Sequence, residues 1–280
     1  LDGAARVIDM ESILTLCEAR GLPGRMLRWH YRSRDPSLIE VSNHEFYEKD
    51  LILPPSPLQK DPAYGLSFTR VDGVYDKGGR RDNRREGDAI VDRVADHARL
   101  NPTQSLGIVT FSFAQRNLIT LLLEERRRHD AILDNFLREG QAEDLFVKNI
   151  ENVQGDERDV ILVSVGYGPS IAGGRLTSMS FGPVNGEGGE RRLNVLFTRA
   201  RIRCEVFASF DPGDIDLGRT AAAGPRILKR FLDFAKNGRL DDSTQTREDA
   251  DSAFEEDVAD VVRSFGFLAD NQVGSAGFRI

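Results

Sequence analysis

The chain has 280 residues, of which 40% are hydrophobic, and its formal net charge is −7. This length allows one large domain or two smaller ones. The negative net charge excludes a uniformly basic surface for nucleic acid but is compatible with a local basic groove. No apolar run reaches the roughly 18 residues that a membrane span needs, no signal peptide is visible, and Cys17 and Cys204 form no disulfide or zinc pattern. We therefore expect a cytoplasmic protein with no membrane partner and no metal site of its own, and a chain that starts at Leu1 is expected to be part of something longer.

The first elements in chain order are two helices and a strand. Residues 10–20 have helical periodicity, and Gly21-Leu22-Pro23-Gly24 ends it. Asp35-Pro36 predicts the start of a second helix, with aspartate as the N-cap and proline at the first helical position. Residues 66–71 alternate in polarity, which predicts an edge strand.

From residue 85 onward, helices and strands alternate. Amphipathic periodicity predicts helices over residues 85–100, 115–128, 191–201 and 227–234. Apolar runs predict strands over residues 106–111, 145–149, 160–165 and 204–208. This alternation predicts an α/β fold with a parallel sheet covered by helices on both faces. Residues 169–190 are rich in Gly and Ser, which predicts a mobile loop.

Two arginines far apart in the sequence indicate the chemistry. Arg32 follows Tyr31, and Arg199 lies in a Thr-Arg-Ala-Arg segment. Guanidinium is planar, permanently charged and bidentate, which suits a developing phosphoryl charge. Between them, Gln154-Gly155-Asp156-Glu157 combines close backbone approach at glycine with acceptors that suit a ribose. Each segment alone is also typical of surface packing, a turn or a solvated helix face, but together they predict one wall of a nucleotide site.

Four motifs in this order resemble the second RecA-like domain of superfamily-1 helicases, in the branch that includes the nonsense-mediated-decay and DNA-end-processing helicases. The resemblance covers residues 10–210. The matching segments are Tyr31-Arg32, Gly107-Ile108-Val109-Thr110-Phe111 with Gln115-Arg116, Val153-Gln154-Gly155-Asp156-Glu157-Arg158-Asp159-Val160-Ile161, and Arg192-Leu193-Asn194-Val195 with Thr198-Arg199-Ala200. The resemblance implies a RecA-like sheet of the P-loop NTPase type over residues 1–236.

The resemblance also implies roles in binding and hydrolysing ATP. Arg32 and Arg199 would reach across a domain cleft to the γ-phosphate as arginine fingers. Tyr31 would stack on the adenine, and Gly155 would bring its N–H to the phosphate. Glu157 would accept from the ribose hydroxyl, and Gln154 would connect the ATP site to the nucleic-acid groove.

A second set of residues is implied to contact single-stranded nucleic acid. Its members lie at the carboxyl end of the strand at 106–111 and at the start of the next helix, whose N-terminus attracts phosphate. They are Thr110, Ser112, Gln115 and Arg116. For Thr110 the alternative is an ordinary β-branched strand residue. Asn83 and Glu86 match a family-like position before a helix, where helix capping is an equal alternative.

The chain lacks two parts of a complete ATPase. It contains no Gly-x-x-x-x-Gly-Lys-Ser/Thr and no apolar strand that ends in paired acids for Mg²⁺. In the family both belong to the preceding RecA-like domain, which is therefore the expected partner and the source of most Mg²⁺ ligands. The chain by itself is expected not to hydrolyse ATP.

The C-terminal residues suggest a separate unit. Residues 237–251 are expected to form an acidic linker, and residues 252–280 resemble the opening of a restriction-endonuclease-like domain of the very-short-patch-repair type. Its first helix would carry a metal-binding acid, at Glu255 or Glu256. The alternative is an amphipathic helical extension that packs on the preceding domain.

Two other function classes stay open. One is a nucleic-acid-binding or protein-docking module with a degenerate RecA-like fold, which the joint presence of Arg32, Gly155, Glu157 and Arg199 disfavours. The other is an unrelated doubly wound enzyme, which the lack of Gly-x-Gly-x-x-Gly after a strand disfavours. The nuclease-like C-terminus favours DNA over RNA as the strand.

Overall fold

A five-stranded parallel sheet lies at the centre of the computed structural model, which describes residues 13–53, 63–138, 143–238, 240, 260–264, 274–275 and 278–279. The strands are β1 (Gly65–Arg70), β2 (Leu106–Thr110), β3 (Phe146–Asn149), β4 (Arg158–Ser164) and β5 (Ala200–Ala208). Their spatial order is β1-β5-β4-β2-β3, and every neighbouring pair is parallel. The predicted parallel sheet is confirmed, with β1 at an edge. β2 is buried throughout and β4 is buried over its last five residues, which explains their continuous apolar runs.

Helices cover both faces of this sheet, as predicted. They are α1 (Ile13–Ala19), α2 (Ser37–Phe46), α3 (Arg84–Leu100), α4 (Phe113–Arg127), α5 (Ala131–Phe136), α6 (Gly189–Phe197) and α7 (Ala223–Asn237). Side chains of α2, α6 and α7 share one hydrophobic cluster with the sheet. Side chains of α3, α4 and α5 form the second cluster on the opposite face. The short helix α5 was not predicted.

Polar side chains cap the helices that follow strands. Asn83 Oδ1 accepts from the Glu86 N–H (3.2 Å) at the start of α3, and Ser112 Oγ accepts from the Gln115 N–H (3.1 Å) at the start of α4. Such contacts satisfy N–H groups that lack an intrahelical partner. Asp35 acts similarly at α2, where its Oδ1 accepts from the Ser37 N–H (2.9 Å), although the helix begins after Pro36 rather than at it.

Two predicted elements require correction. The helix predicted over residues 191–201 ends at Phe197, and β5 begins at Ala200, because this stretch pairs with β4 and β1. Arg199 therefore lies in the connection between helix and strand. The segment 169–190 contains little regular structure, but it is not a detached loop, since four of its apolar side chains belong to the core. They are Leu176, Met179, Phe181 and Val184.

The predicted C-terminal unit lies largely outside the described residues, including Glu255 and Glu256. Of the predicted linker over residues 237–251, residue 239 and residues 241–251 also lie outside the described residues, while Asn237 is the last residue of α7. The described part of the C-terminus includes helical residues 260–264 and an antiparallel pair, β6 (Gly274–Ser275) with β7 (Phe278–Arg279). No helix within the described ranges is long and apolar enough to cross a membrane.

The backbone of α6 and α7 meets at one carbonyl. A methyl group placed on Gly189 or on Gly224 would overlap the oxygen of Val184. The two helices also share a stacked ring pair, Phe197 with Phe231, whose centroids are 3.9 Å apart. Glycine is required at both positions because the main chains approach so closely.

We predict that Gly224→Ala lowers the free energy of unfolding by about 2 kcal/mol, because the new methyl group must displace the Val184 carbonyl in a well-packed region. Gly213→Ala is the matched control, since the added methyl group would meet nothing within 4 Å. Urea unfolding of both variants measures the difference. Equal free energies of unfolding for the two variants would contradict the close approach of Gly224 to the Val184 carbonyl.

Candidate functional site

A glycine turn immediately before β4 forms the centre of the first candidate site. Gly155 has φ +88°, a left-handed conformation that side chains rarely adopt. Gln154 and Gly155 are exposed, and no heavy atom lies within 4 Å of where a Cβ on Gly155 would be. The turn is held by the Asp156 N–H, which donates to the Val153 carbonyl (3.2 Å). Its backbone is therefore open to a ligand on one side.

Arg199 is held by three hydrogen bonds, one of which goes to this turn. Its Nε donates to the Val195 carbonyl (2.8 Å), its Nη2 to Thr198 Oγ1 (2.7 Å) and its Nη1 to the Asp156 carbonyl (3.3 Å). The neighbouring strands explain the proximity, because Arg158 pairs with Ala200 at the start of β4 and β5. The guanidinium is thereby held beside the turn.

Arg32 reaches the same turn from the opposite end of the sequence. The segment before α2 runs along the start of β5, where the Arg34 N–H donates to the Arg201 carbonyl (2.8 Å). From there Arg32 Nε forms an ion pair with Glu157 Oε2 (2.6 Å), and its Nη1 donates to the Thr198 carbonyl (3.4 Å). The structure thus brings Arg32 and Arg199 together beside Gln154 and Gly155. Tyr31, the preceding residue, is 82% exposed.

The electrostatics of the pair suit an anion. Burial, and then the positive charge of Arg32, lower the pKa of the Arg199 guanidinium from its usual value. Two guanidinium groups that repel each other are stabilised by a shared phosphate, which accepts charge-assisted hydrogen bonds from both. The site therefore fits the phosphates of a nucleotide.

Arg201 is a member of the site that the sequence analysis missed. Its Nε contacts Asp159 Oδ1 (3.0 Å), its Nη1 contacts Glu157 Oε1 (3.5 Å), and Glu143 also pairs with it. These contacts, above all the hydrogen bond with Glu143, raise its pKa above the usual arginine range. Glu157 thus has one oxygen on Arg32 and the other near Arg201, rather than two open acceptors. Arg201 is the second arginine of the Thr-Arg-Ala-Arg segment, and this repeat was the sequence signal that could have identified it.

The acids beside the turn do not offer a ready Mg²⁺ site. Glu157 and Asp159 are paired with arginines. Asp156 Oδ2 forms an ion pair with Lys148 Nζ (2.6 Å). Hard cations need carboxylates free to coordinate, so these three ion-paired acids are poorly suited to holding Mg²⁺.

The residues predicted to contact nucleic acid lie at the opposite, carboxyl edge of the sheet. Thr110 is fully buried, and its Oγ1 donates to the Ser112 carbonyl (2.9 Å). Gln115 is also fully buried, so its side chain is enclosed rather than presented to a ligand. Ser112 and Arg116 are half-buried, and the Arg116 guanidinium lies over the ring of Phe113, with its carbon 5.4 Å from the centroid. Phe113 is 59% exposed and was not predicted.

A buried polar network beneath this edge accounts for the enclosure of Gln115. Glu86 Oε1 accepts from Ser164 Oγ (2.7 Å) and the Gly166 N–H (2.6 Å), while Oε2 accepts from Ser209 Oγ (3.1 Å). Gln115 Nε2 donates to Ser164 Oγ (3.1 Å) and to the Asn83 carbonyl (3.1 Å).

Asn83 extends the network, because its Nδ2 donates to Ser209 Oγ (2.7 Å) and its N–H to Gln115 Oε1 (2.7 Å). Asn83 also caps α3, so capping is confirmed for it. The network joins the starts of α3 and α4 to the ends of β4 and β5.

Glu86 is the titratable centre of this network. Complete burial raises its pKa to about 7, against the opposing effect of the hydrogen bonds that it accepts from Ser164, Gly166 and Ser209. Because this folded-state pKa lies above the unfolded value of 4.5, the folded state binds the extra proton. The stabilisation from Glu86 is therefore complete below pH 4.5 and is lost as the pH rises to about 7.

We predict that Glu86→Gln removes this pH dependence. Relative to the variant, the wild-type free energy of unfolding should fall by at most about 3 kcal/mol between pH 4.5 and about pH 7. Urea unfolding at a series of pH values measures the difference, with the exposed Glu125→Gln as control. Parallel pH profiles for wild type and Glu86→Gln would refute the assignment.

Comparison with known proteins places this chain in a family. Residues 10–210 match the model of a family described as AAA domain (AAA_12), which is found in superfamily-1 helicases. The chain is 33% identical over 230 residues to "Uncharacterized ATP-dependent helicase MG140" of Mycoplasma genitalium, covering 80% of this chain and 20% of the relative. It is 32% identical over 232 residues to the MG140 homolog of Mycoplasma pneumoniae, with the same coverage.

The chain spans about a fifth of the length of these two relatives. The matched region includes the five-stranded sheet, the glycine turn and both arginines beside it. Since the family model covers well over half of its residues, this chain belongs to the AAA domain family AAA_12.

Proposed function

We propose that this chain is the second RecA-like domain of an ATP-dependent helicase. In this proposal it supplies Arg32 and Arg199 to ATP bound against a neighbouring RecA-like domain of the same polypeptide, and it does not hydrolyse ATP alone. The observation that carries the proposal is the contact of both arginines with the turn around Gly155. The printed names of the two relatives, both ATP-dependent helicases, support it.

Arg199 is proposed as the principal arginine finger. The three hydrogen bonds to Val195, Asp156 and Thr198 use one N–H on each guanidinium nitrogen. One N–H on each of Nη1 and Nη2 remains for phosphate oxygens, because guanidinium has five N–H groups in all. Fixing the group in advance means that it needs little reorganisation as charge develops on the phosphoryl group.

The neighbouring residues would bind and orient the nucleotide. Arg32, aligned by its ion pair with Glu157, would contact the same phosphates. Tyr31 offers an exposed ring for stacking on adenine, and the Gly155 N–H would approach a phosphate. Glu157 would accept from a ribose hydroxyl with lone pairs that its arginine contacts leave. Gln154 would connect this site to the nucleic-acid groove.

When bound, ATP supplies the phosphoryl group that is transferred to water, with Mg²⁺ ligands assigned mostly to the other domain. At the carboxyl edge we assign contact with the nucleic-acid strand to Ser112 and Arg116, because Thr110 and Gln115 are enclosed. Thr110 and Gln115 would then position the loop that carries these contacts. The C-terminal endonuclease-like assignment remains a proposal from resemblance.

We predict that Arg199→Ala lowers ATP turnover by about 10³-fold or more while nucleotide affinity changes far less, since a finger acts mainly on the transition state. Arg199→Lys should also be strongly impaired, because an ammonium group cannot reproduce the fork. Steady-state hydrolysis and equilibrium nucleotide binding are measured in the full-length protein, with the exposed Arg138→Ala as control. Undiminished turnover in Arg199→Ala would reject the role.

We predict that Tyr31→Ala raises the KM for ATP roughly ten-fold, because the adenine base then has no aromatic ring on which to stack. Tyr31→Phe, which keeps the ring, should stay close to wild type. A KM that responds equally to both substitutions would argue for a role of the hydroxyl group instead of stacking.

The helicase assignment as a whole is tested by strand-stimulated hydrolysis. Single-stranded DNA is expected to stimulate the ATPase of the full-length protein more than RNA does. Binding of a strand without any ATP turnover would instead support a non-catalytic nucleic-acid module.

A further inference from the structure

A cluster of unpaired cations projects from the loop between β1 and α3. Lys77, Arg80 and Arg81 are exposed, and their side chains have no ion-pair or hydrogen-bond partner among the residues that the structure describes. Other arginines nearby are paired, as Arg84 is with Asp88 and Arg93 with Glu205. Since none of the three lies within salt-bridge distance of an acid in the described part of the chain, they are available to an external anion.

This loop is a closed structure. The Asp76 N–H donates to the Asp82 carbonyl (3.0 Å), and the Arg81 N–H donates to the Asp76 carbonyl (2.9 Å). The Asp76 carboxylate accepts from the N–H groups of Gly79 and Arg80, each at 3.0 Å. Asp76 therefore uses its negative charge to hold the loop in shape. The three cations are presented on a defined scaffold.

The loop shares the carboxyl edge of the sheet with the exposed ring of Phe113. The end of the loop is joined to α4 by the reciprocal contact of Asn83 with Gln115, two residues after Phe113. Phe113 is exposed at the first turn of α4, with Arg116 beside its ring. The buried network around Glu86 therefore holds both the loop that carries the cations and the helix that carries the Phe113 ring.

We propose that Lys77, Arg80, Arg81 and Phe113 form a second contact surface for single-stranded nucleic acid. The cations would bind backbone phosphates and the ring would stack on a base, which is the combination that single strands require. Residues 76–85 carry five cationic and two acidic side chains in a chain whose net charge is −7, so the local charge opposes the overall one. This proposal rests on the proposed function and adds a surface to it.

The charge contribution is tested with the triple variant Lys77→Gln, Arg80→Gln, Arg81→Asn in the full-length protein. Asparagine is chosen because residue 81 has φ +60° and asparagine tolerates the left-handed region. Binding of labelled oligothymidylate and oligouridylate is measured over a series of salt concentrations. The slope of log Kd against log salt should fall by about 2, or about 0.7 for each phosphate that the variant no longer neutralises.

A matched control removes the same charge elsewhere. Arg126→Gln, Arg128→Gln and Arg138→Gln alter exposed residues in the last turn of α4 or beyond it, at the other edge of the sheet, and should leave the slope unchanged. Thermal unfolding checks the folding of both triple variants. If the loop variant does not fold, Lys77→Gln alone should still lower the slope by about 0.7.

Phe113 is tested separately from the cations. Phe113→Ala should weaken strand binding about ten-fold or more with an unchanged salt slope, and Phe113→Tyr should retain binding. A wild-type protein that binds strands, with slopes equal in wild type and loop variant, would overturn this surface alone. A wild-type protein that binds neither strand would overturn the surface and the helicase function together.

Discussion

The parallel pairing of β4 with β5 is the constraint on which the geometry of the site around Gly155 depends. Arg158 and Ala200 are register partners, and the Arg158 N–H donates to the Arg199 carbonyl (3.2 Å). In a parallel pair the residues that precede both strands must emerge at the same edge. The glycine turn and Arg199 are therefore neighbours although the sequence separates them. Arg32 joins them because the segment before α2 runs along the start of β5.

Local sequence patterns were sufficient for the layers of the fold but not for the ends of its elements. β2 and β4 were recognisable because burial on both faces makes them uniformly apolar. Residues 198–201 were assigned to a helix because periodicity cannot reveal that β5 pairs with strands distant in sequence. For the same reason, the glycine-rich segment 169–190 was predicted as a loop although Leu176 and Phe181 are buried in the core. Their contacts there are with residues distant in the sequence.

The candidate sites were predictable to a similar degree. The order of the motifs was enough to group Arg32, Arg199 and Gly155, but it could not show that Glu157 lies between Arg32 and Arg201. That arrangement depends on side-chain geometry across three segments. Gln115 shows the converse, since a polar residue near a helix start was predicted to contact nucleic acid, whereas its amide is hydrogen-bonded inside the protein. Buried polar groups are almost always satisfied internally.

The two edges of the sheet handle charge differently. At the amino edge, arginines and acids form a dense set of ion pairs, while no carboxylate among the described residues lies within salt-bridge distance of Arg199. At the carboxyl edge, a single carboxyl group is enclosed by neutral donors, and the cations stand outside on a loop. At the amino edge the ion pairs lie close around Arg199, whereas at the carboxyl edge the cations lie on an exposed loop.

Because α6 and α7 meet at the Val184 carbonyl, a small tilt of α6 at this contact would displace the far end of the helix. The helix has nine residues and is therefore about 13 Å long, with the close glycine contact at one end and Arg199 just beyond the other. A tilt of about 5° at the glycine end would move the far end by about 1 Å. Displacements of that size can cost an enzyme about a hundred-fold in rate. The position of Arg199, which we propose as the finger, thus depends on two residues without side chains, Gly189 and Gly224.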